Sequence, residues 1–336
     1  MINYSIVDPL PDLPPRGKGT ERKELARGAS LAKVPDCRIA HFPLGGNKKG
    51  GNLYKVVIIV LCFLFTWIFT ATLSAQKKSV TFTDITKKAG ITFKYTFGDD
   101  SYKNIIESSG SGITIFDYNN DGFMDLYLMN GIYLEGISDP GGIKYKDSHN
   151  ELYKNNGNGT FTEVSRTAGI EGHQWSMAAG AIDLDNDGYQ DLYVMNYGPN
   201  VFYHNNGNGT FTDITSKLGL SGPEKLNGFT KWSIGVSFWD YNLDGRLDAM
   251  VGNFLAFNPS YVSPSAPDMM PSPTEYNGQE SMLYEQQSDG KFVDVTKKNN
   301  LNYPDSKCMG LTVFDYDDDG DLDIFQANDH QFNFLF

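Results

Sequence analysis

A chain of 336 residues with 35 glycines, 22 phenylalanines and 19 tyrosines has room for one large β domain or two smaller ones. Its formal charge of −13 leaves nothing resembling the basic face that a phosphate backbone requires, so no nucleic acid is expected as a partner. Of the three cysteines, Cys37 and Cys62 stand near the amino terminus and only Cys308 stands further on, which excludes a disulfide within the later region.

Residues 1–52 are rich in Pro, Gly, Lys and Arg and lack apolar periodicity, as in PLPDLPPRGKG and GGNKKGG. They read as a disordered extension, or as upstream sequence translated by mistake ahead of a true start near Leu53. Residues 53–75 read as a signal peptide or membrane anchor. Val56 to Leu73 is uncharged throughout, with Lys48, Lys49 and Lys55 before it and Ser74-Ala75-Gln76 after it. The small residues favour cleavage, and an uncleaved run of residues 56–73 is long enough to contact the membrane as a span. In both cases the positive residues lie on the amino side, which delivers the rest to an extracytoplasmic place: secreted, periplasmic or cell-surface.

From Val80 a phrase recurs: FTDIT at Phe82, FTEVS at Phe161, FTDIT at Phe211 and FVDVT at Phe292, with the tails KKAGI, RTAGI, SKLGL and KKNNL. Before the last three copies stand LYKNNGNGT, FYHNNGNGT and LYEQQSDGK, which read as hairpins turning on Asn-Gly or Asp-Gly. Between these phrases lies a nine-residue acidic loop written four times: DYNNDGFMD from Asp117, DLDNDGYQD from Asp183, DYNLDGRLD from Asp240 and DYDDDGDLD from Asp315. Alternate carboxylate and amide oxygens on a curled backbone converge on one point, and the sixth-place Gly permits the curl. Oxygen ligands with no His or Cys in the loop favour Ca²⁺, while Mg²⁺ keeps its waters. The loops carry three, four, three and four such carboxylates, so the acidity belongs to them and the remainder is near neutral.

An EF-hand shares the Asp-x-Asp-x-Asp-Gly opening but needs a bidentate Glu at place twelve, where Leu128, Val194, Val251 and Gln326 stand. The flanking runs, GITIFD before and DLYLMN after the first loop and their counterparts elsewhere, read as strands. One unit is therefore strand, acidic loop, strand, connection, strand, Asn-Gly turn, strand. The expected fold is all-β, a β-propeller of four-stranded antiparallel blades over residues 80–336, with about three and a half blades present as an open arc. VTFTDIT at residues 80–86 reads as a fourth strand without its first three, and the chain as an incomplete protein whose gene continues with further blades.

Two connections are swollen, Gly131 to Asn150 and Phe254 to Ser281, and long loops on a rigid frame commonly carry binding. In a blade these should lie at the end opposite the acidic loops. Asn158 and Asn208 match the glycosylation acceptor, but a hairpin turn accounts for both. His173 and His330 stand apart from any Ser, Cys or second His at catalytic spacing and read as structural.

The acidic loop followed by DLYVMNYGPN and FYHNNGNGTFTDIT resembles the FG-GAP and VCBS repeats of calcium-binding β-propellers. IESSGSGITIFDYNNDGFMDLYLMNG, WSIGVSFWDYNLDGRLDAMVGNF and CMGLTVFDYDDDGDLDIFQANDH look more narrowly like the cartilage-acidic-protein type, associated with an ASPIC/UnbV domain. That resemblance implies one Ca²⁺ per loop. The implied ligands are Asp117, Asn119, Asp121 and Asp125 with the carbonyl of Phe123, and Asp183, Asp185, Asp187 and Asp191 with Tyr189. The other two sets are Asp240, Asn242, Asp244 and Asp248 with Arg246, and Asp315, Asp317, Asp319 and Asp323 with Asp321. The sequence departs from the type in holding no ASPIC/UnbV segment and in having Ser263 about where a Cys is usual.

The function expected from this reading is a non-enzymatic calcium propeller, secreted or surface-anchored, that binds or adheres to an extracellular protein or glycan. The alternative is the propeller scaffold of a carbohydrate-active enzyme, a lyase or hydrolase, whose catalytic part is missing.

Overall fold

The computed structural model of the chain describes residues 80–110 and 112–336. The expected extension over residues 1–52 and the expected signal or anchor over residues 53–75 lie outside the described residues. Among the described residues no helix is long and apolar enough to cross a membrane. The chain divides into residues 1–81 and residues 82–336, and every described strand belongs to the second unit.

That unit is all-β. The first sheet holds β1 (Ile113–Phe116), β2 (Asp125–Leu128), β3 (Glu151–Asn155) and β4 (Phe161–Glu163). The second holds β5 (Trp175–Ile182), β6 (Asp191–Tyr197), β7 (Val201–Asn205) and β8 (Phe211–Asp213). A two-stranded ribbon, β9 (Lys225–Leu226) and β10 (Phe229–Thr230), precedes the third sheet of β11 (Ser233–Trp239), β12 (Asp248–Asn253), β13 (Met282–Gln286) and β14 (Phe292–Asp294). The last sheet has three strands, β15 (Cys308–Phe314), β16 (Asp323–Asn328) and β17 (Phe334–Leu335). Each of these four sheets is an antiparallel meander in chain order, and the first strands β1, β5, β11 and β15 lie side by side in that order. This is a propeller-like arc of blades, with no ladder among the described residues joining the last sheet to the first.

The repeated phrases map onto repeated geometry. The recurring phrase, FTE, FTD or FVD, is the fourth strand of three blades, and its Asp or Glu side chain then accepts the N–H of the residue two places on, at Ser165, Thr215 and Thr296. A helical turn follows and ends on a residue in the left-handed region, Gly169, Gly219 or Asn300, which is why Gly or Asn recurs in the tails. At Thr86 the same Asp84 contact and the same kind of turn form, ending on Gly90. Residues 80–86, expected as a fourth strand, nevertheless form no strand. Phe82 is 98% exposed, whereas its counterparts Phe211 and Phe292 are 6% exposed.

The core fills the seams between blades. Tyr127, Met129 and Leu152 of the first sheet pack on Leu192, Val194 and Tyr203 of the second, and Tyr193 and Phe202 pack in turn on Ala249, Val251 and Tyr284 of the third. These residues alternate along strands covered on both faces, so aromatic and branched side chains dominate. Blades also approach closely where a second strand meets the next blade's first strand. A Cβ on Gly252 would sit 2.4 Å from the Cys308 sulfur, which leaves room only for glycine there.

The two ends of the blades differ in kind. The acidic loops and Asn-Gly turns share one end: the Phe123 ring lies against Gly157, the Tyr189 ring against Gly207, and Asn205 Nδ2 donates to Tyr118 O across to the neighbouring blade's loop at 2.7 Å. At the other end the swollen connections fold onto the strand starts, where Trp175, Trp232, Phe254, Leu255, Phe257 and Tyr276 form a buried, largely aromatic cluster. Both connections lie opposite the acidic loops, as the blade order requires.

Candidate metal centre

Each acidic loop is the turn between the first and second strands of its blade, and its backbone is held by its own carboxylates. The first-place Asp accepts the N–H of place five on Oδ1 and of the place-six Gly on Oδ2. These bonds run from Asp121 and Gly122 to Asp117 at 3.1 and 2.8 Å, and from Asp187 and Gly188 to Asp183 at 3.1 and 3.0 Å. Asp240 and Asp315 take the same pairs in the third and fourth loops. The place-five Asp accepts from place seven, so Phe123, Tyr189, Arg246 and Asp321 donate to Asp121, Asp187, Asp244 and Asp319. The curl also requires a left-handed residue at place four, with φ of 54° at Asn120, 57° at Asn186, 57° at Leu243 and 61° at Asp318. An Asn or Asp there is inexpensive, whereas Leu243 is strained.

The ninth-place Asp begins the second strand and ties the loop to the sheet. Its Oδ2 accepts the place-two N–H, from Tyr118, Leu184, Tyr241 and Tyr316 in turn. In the first three blades its Oδ1 accepts a third-strand N–H, from Asn155, Asn205 and Gln286. Asp125, Asp191 and Asp248 are buried. Burial pushes Asp125 and Asp248 up to about 6 and raises Asp191, against the pull of those N–H donors and with help from the neighbouring loop carboxylates. A cation at the loop centre would offset that penalty.

The loops differ in what stands beside them. In the fourth, oxygens of Asp315, Asp317 and Asp323 come within 4.8 Å of one another. Partial loss of hydration and the charges of Asp319, Asp323 and Asp315 raise the exposed Asp317. In the first, the Lys154 ammonium lies 3.4 Å from Asp121, and Asn119 also donates to that carboxylate. In the third, the Arg246 guanidinium is bonded to Asp244. In the second, the His204 imidazole stands among Asp185, Asp187 and Asp191. A side-chain nitrogen thus reaches the second loop from the third strand, thirteen residues beyond Asp191, and bonds to the ninth-place carboxylate.

The carboxylate and amide oxygens of the first, third and fourth loops fit a hard dication, and the three convergent oxygens of the fourth fit it best. The structure does not draw three carboxylates together as tightly in the first and third loops, where a basic side chain occupies one of them. The expectation that His173 stands alone is corrected. The His149 ring lies 5.8 Å from it, with Glu171 4.0 Å from His149. Asn158 and Asn208 are engaged in their hairpin turns, each accepting the N–H and hydroxyl of the Thr two places on.

No curated protein matches the chain. A solved structure of an Agrocybe aegerita lectin, described as specifically recognising non-reducing terminal N-acetylglucosamine, matches with 19% sequence identity and a TM-score of 0.31. The match covers 63% of this chain and 45% of that chain, so this chain spans less than half of the lectin's length. Residues 142–194 and 183–251, which hold the second and third acidic loops, match the family model described as an FG-GAP-like repeat.

Proposed function

We propose that the chain is an extracytoplasmic, non-enzymatic β-propeller module that holds Ca²⁺ in its acidic loops and presents the opposite end of its blades to a protein or glycan. The observation that carries this reading is the fourth loop, where three carboxylates converge with no basic side chain on them among the described residues. A backbone that gathers like charges at one point is stable when a cation joins them. Four such loops at one end make Ca²⁺ a cross-link for blades that hold no disulfide among the described residues.

The binding end follows from the division between the ends. Exposed apolar groups occur at both ends, Met124 and Leu243 in the acidic loops among them, but at the opposite end they line a groove beside the packed cluster. Between residues 101–104 with Ile137 and the proline-rich part of the second swollen connection runs a groove of about 680 Å³. Tyr102, Val262 and Met269 line it and are 53%, 59% and 70% exposed. Exposed apolar side chains on a rigid frame are where a partner gains most from contact.

The test is a protein and glycan array probed with and without Ca²⁺, followed by Val262→Asp and Met269→Asp against any hit. Deleting all of Phe254 to Ser281 is unsuitable, because Phe254, Leu255 and Phe257 are core. Binding that needs Ca²⁺ and falls in both variants supports the reading. Turnover of a glycan by the chain alone would overturn its non-enzymatic part.

A further inference from the structure

Beneath the groove wall at residues 101–104 lie two carboxylates that take no part in the acidic loops. Asp99 is 3% exposed, and Glu107, in the short helical turn Ile105–Ser108, is fully buried. They are hydrogen-bonded to one another, and each holds one end of the wall. Asp99 Oδ1 accepts the Ser101 N–H at 2.6 Å and the Ser101 hydroxyl at 2.8 Å, while Glu107 Oε2 accepts the Asn104 N–H at 2.9 Å. Asp99 Oδ2 takes the Asp139 N–H at 2.6 Å, and Asn104 Nδ2 donates to Ile137 O at 3.0 Å, which fastens the wall to the first swollen connection.

The charged groups around the pair are engaged elsewhere. Lys103 binds Asp139 at 2.8 Å and Lys144 binds Asp100, both in exposed ion pairs, and Tyr145 gives its hydroxyl to Asp100. No base is therefore bonded to Asp99 or Glu107 among the described residues. On the core side Ile105 and Ile106 pack in the aromatic cluster with Trp175, and the Tyr95 hydroxyl donates to Ser109 O. Two buried carboxylates in contact without a base cannot both ionise, so they share a proton. Burial, with Asp99 beside it, raises the Glu107 carboxyl against the Asn104 N–H. Against burial, the donors at Ser101 and Asp139 and the proton of Glu107 hold the Asp99 carboxyl below its ordinary range. Glu107 thus carries the proton and Asp99 the charge.

We propose that Asp99 and Glu107 form a proton-controlled latch, which holds the 101–104 wall of the groove in place while they share a proton and frees it when that proton is lost. Only the consequence for a partner rests on the reading of this groove as the binding end. Tyr102, whose ring lines the groove, has a φ of 52°. A bulky side chain seldom adopts that conformation, so the wall is strained and depends on its carboxylate ties. Loss of the proton leaves two negative charges in contact away from water. Lifting the segment into solvent separates them, breaks the ties and relaxes Tyr102. The closed wall binds one proton more than the open one, so closure weakens as pH rises from the ordinary carboxylate range through the raised value of Glu107.

The test is backbone hydrogen exchange at Ser101, Asn104 and Asp139 in the full chain, read relative to core amides of β6, together with the Glu107 carboxyl carbon shift, from about pH 4 to about pH 8. Protection at the three amides should fall as pH rises, by up to about tenfold per unit, and the Glu107 carbon should titrate above its ordinary range. Glu107→Gln, whose amide donates to Asp99 at every pH, should keep the protection and lose the dependence, while Asp100→Asn should behave as the wild type. A Glu107 carboxyl that titrates at its ordinary value, or wild-type protection indifferent to pH, would overturn the proposal, and both are read without a variant. A pH-dependent wall with no partner at the groove would support the latch and defeat the reading of the binding end. A partner lost in Val262→Asp, beside a wall indifferent to pH, would do the reverse.

Discussion

The third and fourth acidic loops carry the same nine-place pattern and the same N–H bonds to their first-, fifth- and ninth-place carboxylates from within the loop, yet they stand in different electrostatic surroundings. Arg246, at place seven, folds back onto Asp244 and also reaches Gln286 O at 2.9 Å, so the third loop supplies part of its own counter-charge. Place seven of the fourth loop is Asp321, and the exposed Asp317 there is raised by partial loss of hydration and by three neighbouring carboxylates. The difference teaches that the spacing of Asp and Gly determines the cage, while residues between and beyond the ligands determine how strongly it needs a cation. The same comparison separates the first loop, with Lys154, from the second, with His204.

The largest expected effect concerns the metal end as a whole. Each Ca²⁺ held at about a hundred times its dissociation constant adds roughly 2.7 kcal/mol to stability. Removing it from several loops should lower the melting temperature by on the order of 10 °C. Calorimetry in excess EDTA, with metal analysis of the same sample, reads this directly. An unchanged melt would break the link between the loops and the fold.

The packing of the opposite end should contribute the same stability with and without calcium. Trp232 is fully buried in the aromatic cluster, edge-on to Phe254 with ring centroids 5.3 Å apart. Trp232→Ala should cost about 3–5 kcal/mol, and urea melts should give the same loss with and without Ca²⁺. A loss that vanished on chelation would join the two ends that the present account keeps apart.

Lys231 sharpens the contrast, because it is a charged group buried without a carboxylate rather than a set of carboxylates in want of a charge. Its ammonium is held by Asn200 Oδ1 and Ser233 Oγ at 2.8 Å each, and burial pushes its pKa down to about 7. The sign follows from proton counts. Between about 7 and the unfolded value near 10.4, the unfolded chain keeps a proton that the folded chain has lost, so stability rises with pH by about 1.4 kcal/mol per unit. Below that window the cost of burying the charge is fully present. Denaturant melts at pH 7 and pH 9 should show the rise in the wild type and a smaller one in Lys231→Met. Equal rises would mean that Lys231 is ionised identically in both states.

Much of this was legible in the sequence. The nine-place loop, the recurring FTE, FTD or FVD phrase and the Asn-Gly turns gave strand order, blade topology and the division of the ends, because each is a local pattern with a local cause. The left-handed residue ending each tail and the one at place four of each loop are local too, and their signals were Gly169, Gly219 and Asn300 in one case and Asn120, Asn186 and Asp318 in the other. What escaped was contact across strands. His204 meets Asp191 only because the third strand pairs with the second, and His149 meets His173 only because a connection folds back. Aligning the residue after each third-strand aromatic with the ninth-place Asp of its own loop is the signal that exposes Lys154 and His204. The lone strand expected at residues 80–86 did not form, since a strand needs a partner and the phrase alone supplies none.

The smallest expected effect is at Arg246. Replacing it with Gln removes a partly exposed ion pair of about 0.2–1 kcal/mol, so the calcium affinity of the third loop should rise by less than about fivefold.

The most direct measurement is a calorimetric Ca²⁺ titration of the metal-free chain beside Asp317→Asn and Arg246→Gln. The fourth loop should fill first in the wild type, Asp317→Asn should remove that tightest class, and Arg246→Gln should tighten a weaker one. No uptake at about 1 mM Ca²⁺, where extracellular modules saturate, or an isotherm indifferent to Asp317→Asn, would contradict the claim that these loops are graded calcium sites.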